Sequence, residues 1–161
     1  MKKSILIFIL AIFFGCGGDQ FDIHDAIESQ NFEKTKKIID DGIDLNSNKV
    51  CIPKQIEIWG GMCPMHHAVL TSNTSIMQLF LDNGADINKK ALNKDEAPPL
   101  AWAIYFCIFD SVEWLVEKGA NINYVDANGL GPLLTSRYSV CETESEKEKM
   151  YKYLESKGAK E

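Results

Sequence analysis

Four catalytic signatures are missing from this chain. It has no G-x-x-x-x-G-K loop to cradle a phosphate and no G-x-S-x-G elbow to present a serine. It also has no H-E-x-x-H zinc helix and no C-x-x-C pair. A basic excess is missing as well: the formal net charge is −6, which argues against a nucleic-acid backbone or an anionic lipid surface as the binding target. Long apolar runs are absent too. The longest, Ile5 to Phe14, has ten residues, short of the roughly 17 to 25 that a spanning helix needs. What remains is a 161-residue chain, 45% apolar and 25% charged, with room for one modest globular domain or one stack.

The first fifteen residues, MKKSILIFILAIFFG, place two lysines before an apolar stretch that ends on a small residue, the layout of a secretory signal. Phe13, Phe14 and Gly15 lead directly into Cys16, which resembles the lipobox of bacterial lipoproteins. The resemblance implies that residues 1–15 are removed, that Cys16 is acylated, and that residues 16–20 form a short tether to a domain spanning 21–161. Such a domain would be anchored to a bacterial envelope membrane, facing the periplasm or at the outer membrane, without spanning it. Release as a soluble secreted protein and retention of an uncleaved anchor are the other readings. Loss of Lys2 and Lys3 would leave 15 basic against 23 acidic residues, a formal charge of −8, which makes a basic partner conceivable.

A repeat organises the rest. Gly42, Gly84, Gly119 and Gly158 each follow an apolar cluster: KKIIDDG, LFLDNG, WLVEKG and KYLESKG. Eighteen residues before the first three stand His24, His66 and Ala101, and two residues further on Ala26, Ala68 and Ala103. The fourth unit is six residues longer, since GPLL ends at Leu134, twenty-four before Gly158. CPMHHA at 63–68, PPLAWA at 98–103, GPLLTS at 131–136 and the DANGLGPLL turn at 126–134 resemble ankyrin repeats, a family with a T-P-L-H-x-A start and a Gly-Ala-Asp end in each unit.

That resemblance implies an all-α solenoid of about four helix-turn-helix units, near 21–50, 58–92, 93–125 and 126–161, with β-hairpin-like connections. The physics points the same way: two short helices cannot bury their apolar faces alone, and stacking supplies the core. Ile76, Met77, Leu79, Phe80 and Leu81 form an apolar stripe at helical spacing. Gly84 suits the helix stop, where φ > 0 costs a Cβ-bearing residue roughly 1 to 2 kcal/mol. Asp86, Asn88, Asn121 and Asn123 are short polar residues that bond nearby backbone and start turns.

The units also differ. Gly42 and Gly84 are 42 residues apart, Gly84 and Gly119 only 35, so an insertion is expected within 47–60. With Cys16 acylated, four cysteines remain, and four allow three pairings. Cys51 and Cys63 flank the insertion and could close it. Cys107 and Cys141 fall near the ends of first helices in adjacent units and could pair across the stack. Four buried thiols or a metal site are the alternatives. His66 and His67 beside Cys63 invite a metal or nucleophile reading, but the resemblance gives His66 a structural bond to the turn, and zinc wants four converging ligands, with His24 a repeat or more away. No metal, no cofactor and no catalytic residue is expected.

Ankyrin stacks commonly bind partners through hairpin tips and first-helix ends. By position the resemblance assigns Trp59, Gly60, Met62, Leu70 and Thr71 in the second unit, Lys94, Asp95, Ala97, Tyr105 and Phe106 in the third, and Ala127, Asn128, Leu130, Tyr138 and Ser139 in the fourth. Trp59, Tyr105, Phe106 and Tyr138 would form an aromatic line of the kind enriched at hot spots, unless some pack beneath the long hairpin or between helices. The function expected is a monomeric, non-catalytic envelope module that binds a protein. Narrower versions are an immunity protein or inhibitor against a periplasmic toxin or hydrolase, and a scaffold for an envelope oxidative-stress enzyme. An enzyme of unrecognised type is the reading from another class.

Overall fold

A computed structural model describes residues 19–53 and 60–160. Eight α-helices follow in order: α1 Asp19–Glu28, α2 Phe32–Asp40, α3 Pro64–Leu70, α4 Thr74–Asp82, α5 Pro99–Tyr105, α6 Phe109–Glu117, α7 Pro132–Arg137 and α8 Glu144–Ser156. A short 3-10 helix, Asn48–Val50, precedes the insertion. The helices pair as α1–α2, α3–α4, α5–α6 and α7–α8, and α1, α3, α5 and α7 pack side by side along an inner row. No strand occurs among the described residues, so the architecture is all-helical.

Proline starts three of the four inner helices, at Pro64, Pro99 and Pro132, where its missing N–H would have no partner in any case. Three of the four outer helices begin on side-chain caps instead, while α6 follows Ile108 without one. Asn31 accepts from Lys34 N, Asn73 from Ile76 N, and Thr143 forms a reciprocal capping box with Glu146. Each outer helix stops at a glycine in the left-handed region; Gly84 has φ +80°, and its N–H bonds back to Leu81 O at 3.0 Å. Ala26, Ala68 and Ala103 are fully buried, their small size letting the inner helices approach. Ile76, Met77 and Phe80 fill the core beneath them while Leu79 and Leu81 are half-buried against it.

The joints are tied by asparagine. Within each turn the first polar residue bonds the second: Asp44 Oδ1 accepts from Asn46 N, Asp86 Oδ1 from Asn88 N, and Asn121 Oδ1 from Asn123 N. The second residue then reaches the next unit. Asn46 Oδ1 accepts from Asp86 N at 2.8 Å, Asn88 Oδ1 from Asn121 N at 2.8 Å, and Asn123 Oδ1 from Lys160 N at 2.9 Å. These side chains therefore do more than start a local turn: they form a ladder between units.

Connections on the opposite side project as tight tips that bond one another. Leu92 N donates to Gly61 O at 2.8 Å, and Ala127 N to Asp95 O at 2.8 Å. Gly61 is essential to the first contact: at φ +85°, a Cβ there would collide with the backbone of Leu92 and Asn93. The insertion leaves and returns at one point, with Ile52 N donating to Met62 O at 2.8 Å and Gly61 N to Ile52 O at 2.7 Å. Beside that pair the Cys51 and Cys63 sulfurs lie at disulfide distance, their Cα atoms 4.0 Å apart. Cys107 and Cys141 also lie at disulfide distance, with Cα atoms 5.1 Å apart, joining the α5–α6 turn to the α7–α8 connection. Among the described residues no helix is long and apolar enough to cross a membrane.

Candidate partner-binding groove

Between the third and fourth units the tips and inner helices enclose a groove of about 310 Å³. Asp95 and Asp126 come from the two tips, Trp102, Tyr105 and Phe106 from α5 and its end, and Leu130 from the entry to α7. Asn128 fixes the two carboxylates relative to each other. Its Nδ2 donates to Asp95 Oδ1 at 3.0 Å and its backbone N to Asp126 Oδ1 at 2.8 Å, while Leu130 N also donates to Asp126 Oδ1 at 2.9 Å. One oxygen of each carboxylate, Oδ2, keeps no protein partner among the described residues. Among the described residues no lysine or arginine lines the groove.

The aromatic floor is a chain of ring contacts: Phe106 meets Tyr105 edge-on at 5.2 Å and Trp102 at a tilt at 6.1 Å, and Trp102 meets His66 edge-on at 5.2 Å. Behind it Tyr124 donates from its hydroxyl to Thr135 Oγ1 at 2.9 Å, and Thr135 donates to Gly131 O at 2.8 Å. Burial raises the Tyr124 hydroxyl above the ordinary phenol range, so it stays a donor. At the helix-end rim Val140 N donates to Tyr105 O at 2.8 Å, and Tyr105, Tyr138 and Val140 are 42%, 66% and 52% exposed.

Asp95, Tyr105, Phe106 and Leu130 are thus brought together around one groove. Lys94 is exposed on the tip, Leu70 and Thr71 are half-buried at the end of α3, and Tyr138 lies at the rim outside the lining. Met62 is a correction. It is fully buried, because the chain turns inward after Gly61 and places Met62 in the core opposite Ile52. Trp59 and Cys16 lie outside the described residues. Trp102 and Asp126 escaped the positional transfer; Trp102 is nearly buried, and Asp126 reads as a turn residue in DANG.

The histidines correct a second expectation. His66 Nε2 donates to Ala97 O at 3.0 Å in the next tip, the structural bond foreseen for it. His24 does not stand apart, however: its Nδ1 lies 3.0 Å from Nδ1 of His67, and the two rings stack. His24 Nε2 meets Val50 O at 2.9 Å, and His67 Nε2 meets Glu28 Oε2 at 2.8 Å. Burial lowers His24 to about 3, with the neighbouring His67 contributing, and lowers His66 and His67 each to about 4. Among the described residues no three His, Cys, Asp or Glu side chains are grouped to hold a metal.

A stack of helix pairs joined by bonded tips, with its groove on the tip side, defines a helical-repeat solenoid. A family model described as Ankyrin repeats (3 copies) matches residues 23–126, well over half of the chain. The chain belongs to the ankyrin-repeat family, and its α7–α8 pair extends the stack past the matched segment. It is 30% identical over 116 residues, 70% of this chain and 15% of the relative, to ARF GTPase-activating protein Git of Drosophila melanogaster. It is 33% identical over 69 residues to the rat Arf-GAP with coiled-coil, ANK repeat and PH domain-containing protein 2, covering 43% of this chain and 9% of that one. A putative ankyrin repeat protein of fowlpox virus is 33% identical over 63 residues, 39% of this chain and 38% of its own length. The chain therefore spans well under half the length of these curated relatives. Ankyrin repeats are protein–protein interaction modules.

Proposed function

We propose that this chain is a lipid-anchored envelope protein that binds a protein partner in the groove between its third and fourth units, and that the partner inserts a cationic side chain. The observation carrying the second part is the groove's composition: two carboxylates held by Asn128, an aromatic floor and, among the described residues, no cation in the lining. A volume of about 310 Å³ is at the low end of the ~300–1,000 Å³ typical of ligand sites. It suits one or two side chains rather than a folded segment. A guanidinium or ammonium there gains charge-assisted bonds to the Oδ2 atoms and contact with aromatic faces.

The anchoring part rests on MKKSILIFILAIFFGC and is supported by cysteine pairs at disulfide distance, which persist in oxidising compartments. Cys16→Ser is expected to move the mature protein from the membrane fraction to the soluble one and to remove the acyl mass. Unchanged fractionation would overturn that part. For the groove, capture from envelope extract is expected to recover a partner with the native chain and to lose it with the double substitution Asp95→Asn and Asp126→Asn. Equal recovery with both chains would refute the groove. An inhibitor of an incoming toxin or hydrolase and a scaffold for an envelope oxidative-stress enzyme are the two narrower forms, separated by the identity of what is captured.

A further inference from the structure

The contacts that run from Val50 through His24 and His67 to Glu28 have a fixed proton requirement. The three distances, 2.9, 3.0 and 2.8 Å, are hydrogen-bond lengths, and each bond needs one proton between its two heavy atoms. Val50 O can only accept, so the first proton sits on His24 Nε2. Two facing Nδ1 atoms need a second. The His67 Nε2 to Glu28 Oε2 contact needs a third. Two neutral imidazoles carry two protons and a carboxylate carries none.

We infer that this chain is a proton-binding clasp: His67 and Glu28 share a third proton, retained by the folded protein where the unfolded chain would release it, and this proton secures the first unit to the second. His24 is 3% exposed and His67 is fully buried, so water cannot replace a missing bond between the two Nδ1 atoms, whereas the Glu28 side chain is 35% exposed and meets His67 from the solvent side. Removing the proton leaves two protons for three contacts, with either the two Nδ1 lone pairs or a lone pair and a carboxylate opposed. The clasp spans α1, the 3-10 helix and α3, beside the base of the insertion. Around it stand His66 on α3, Lys89 beyond α4, whose charge acts on His66, and the exposed Lys49. Asp25 on the outer side of α1 pairs with Lys34 of α2 at 2.6 Å. None of these bonds to the three side chains.

The sign follows from the direction at Glu28, which burial raises above its ordinary value. A group raised in the fold contributes stability that is complete below its unfolded value and is lost as pH rises through its folded one. Glu28→Gln supplies a non-titrating N–H to the same contact. Across pH 5 to 9 the folding constant of the native full chain, divided by that of Glu28→Gln, is expected to fall with rising pH, by up to about tenfold per pH unit, and then level. Identical pH profiles for the two chains would overturn the clasp. Ring ¹⁵N spectra of the native chain at pH 7 give a reading independent of any variant. Protons on His24 Nε2 and His67 Nδ1 are expected together with a third on His67 Nε2 or, read from the carboxyl ¹³C shift, on Glu28; an ionised Glu28 facing a bare His67 Nε2, or a bare His67 Nδ1 facing a bare His24 Nδ1, would refute the inference.

Discussion

The first two units and the last two share one register and put it to different uses. Their joints are interchangeable: glycine stop, polar turn, asparagine reaching the next unit. Their inner helices are not. His67 in α3 and Trp102 in α5 hold equivalent places, as do Leu70, Tyr105 and Tyr138. In the first half His66 and His67 are fully buried and bonded within the stack, and Leu70 is half-buried. In the second half the equivalent positions open on a groove with aromatic walls and two carboxylates. The repeat therefore fixes where a side chain stands, and the residue type decides whether that place is bonded within the stack or lines the proposed recognition groove.

All three histidines lie in the first half, so acid should break that half first, and by the largest margin. Their folded values lie at about 3, about 4 and about 4, below an unfolded value of 6.5. Through these three groups the unfolded state binds more protons between these limits, so their contribution to stability is complete above pH 6.5 and declines as pH falls toward 4, against the smaller opposite slope from Glu28. Each histidine contributes a slope of up to about 1.4 kcal/mol per pH unit, and three together reach about 4 kcal/mol per pH unit, a large share of a small domain's margin. Denaturant melts at pH 7, 6 and 5 should show the midpoint dropping at each step. His24→Gln should flatten that decline.

The disulfides sharpen the comparison in the other direction. Chain-entropy reasoning gives a loss of about 4 kcal/mol for opening the Cys107–Cys141 pair and about 3 kcal/mol for Cys51–Cys63, because the former closes 34 residues and the latter 12. Paired Cys→Ser chains compared by denaturant midpoint check the order. Opening Cys107–Cys141 should also weaken partner capture, since that link holds the rim at Tyr105 and Val140. Opening Cys51–Cys63 should leave capture unchanged.

A smaller effect is expected at the joints. Asn88→Ala removes the acceptor for Asn121 N and should cost about 1 to 2 kcal/mol, read as a lower melting temperature with the groove intact.

Much of the fold was legible because its signals are local. Pro64, Pro99 and Pro132 mark helix starts, Gly42, Gly84, Gly119 and Gly158 mark helix stops, and the spacing between them is the repeat. What was hidden depends on contacts between distant residues. Nothing in the sequence shows that His24 meets His67, 43 residues away, or that Asn88 spends its side chain on the next unit. The resemblance puts Asp95, Tyr105, Phe106 and Leu130 at positions that line one groove because tip and helix-end positions recur. It placed Met62 outside because the inward turn after Gly61 depends on backbone packing against Leu92 and Asn93. Trp102 and Asp126 were passed over since one sits on a buried helix face and the other in an ordinary turn sequence.

The central claim is that joints hold the stack while the groove recognises. Partner capture at 25 °C, run side by side with Asn88→Ala and with the Asp95→Asn, Asp126→Asn pair and paralleled by melting curves, tests it most directly. The account predicts a lower melting temperature with capture retained for the joint variant, and an unchanged melting temperature with capture lost for the groove variant. Retained capture by the groove variant, or capture lost from a still-folded joint variant, would contradict it.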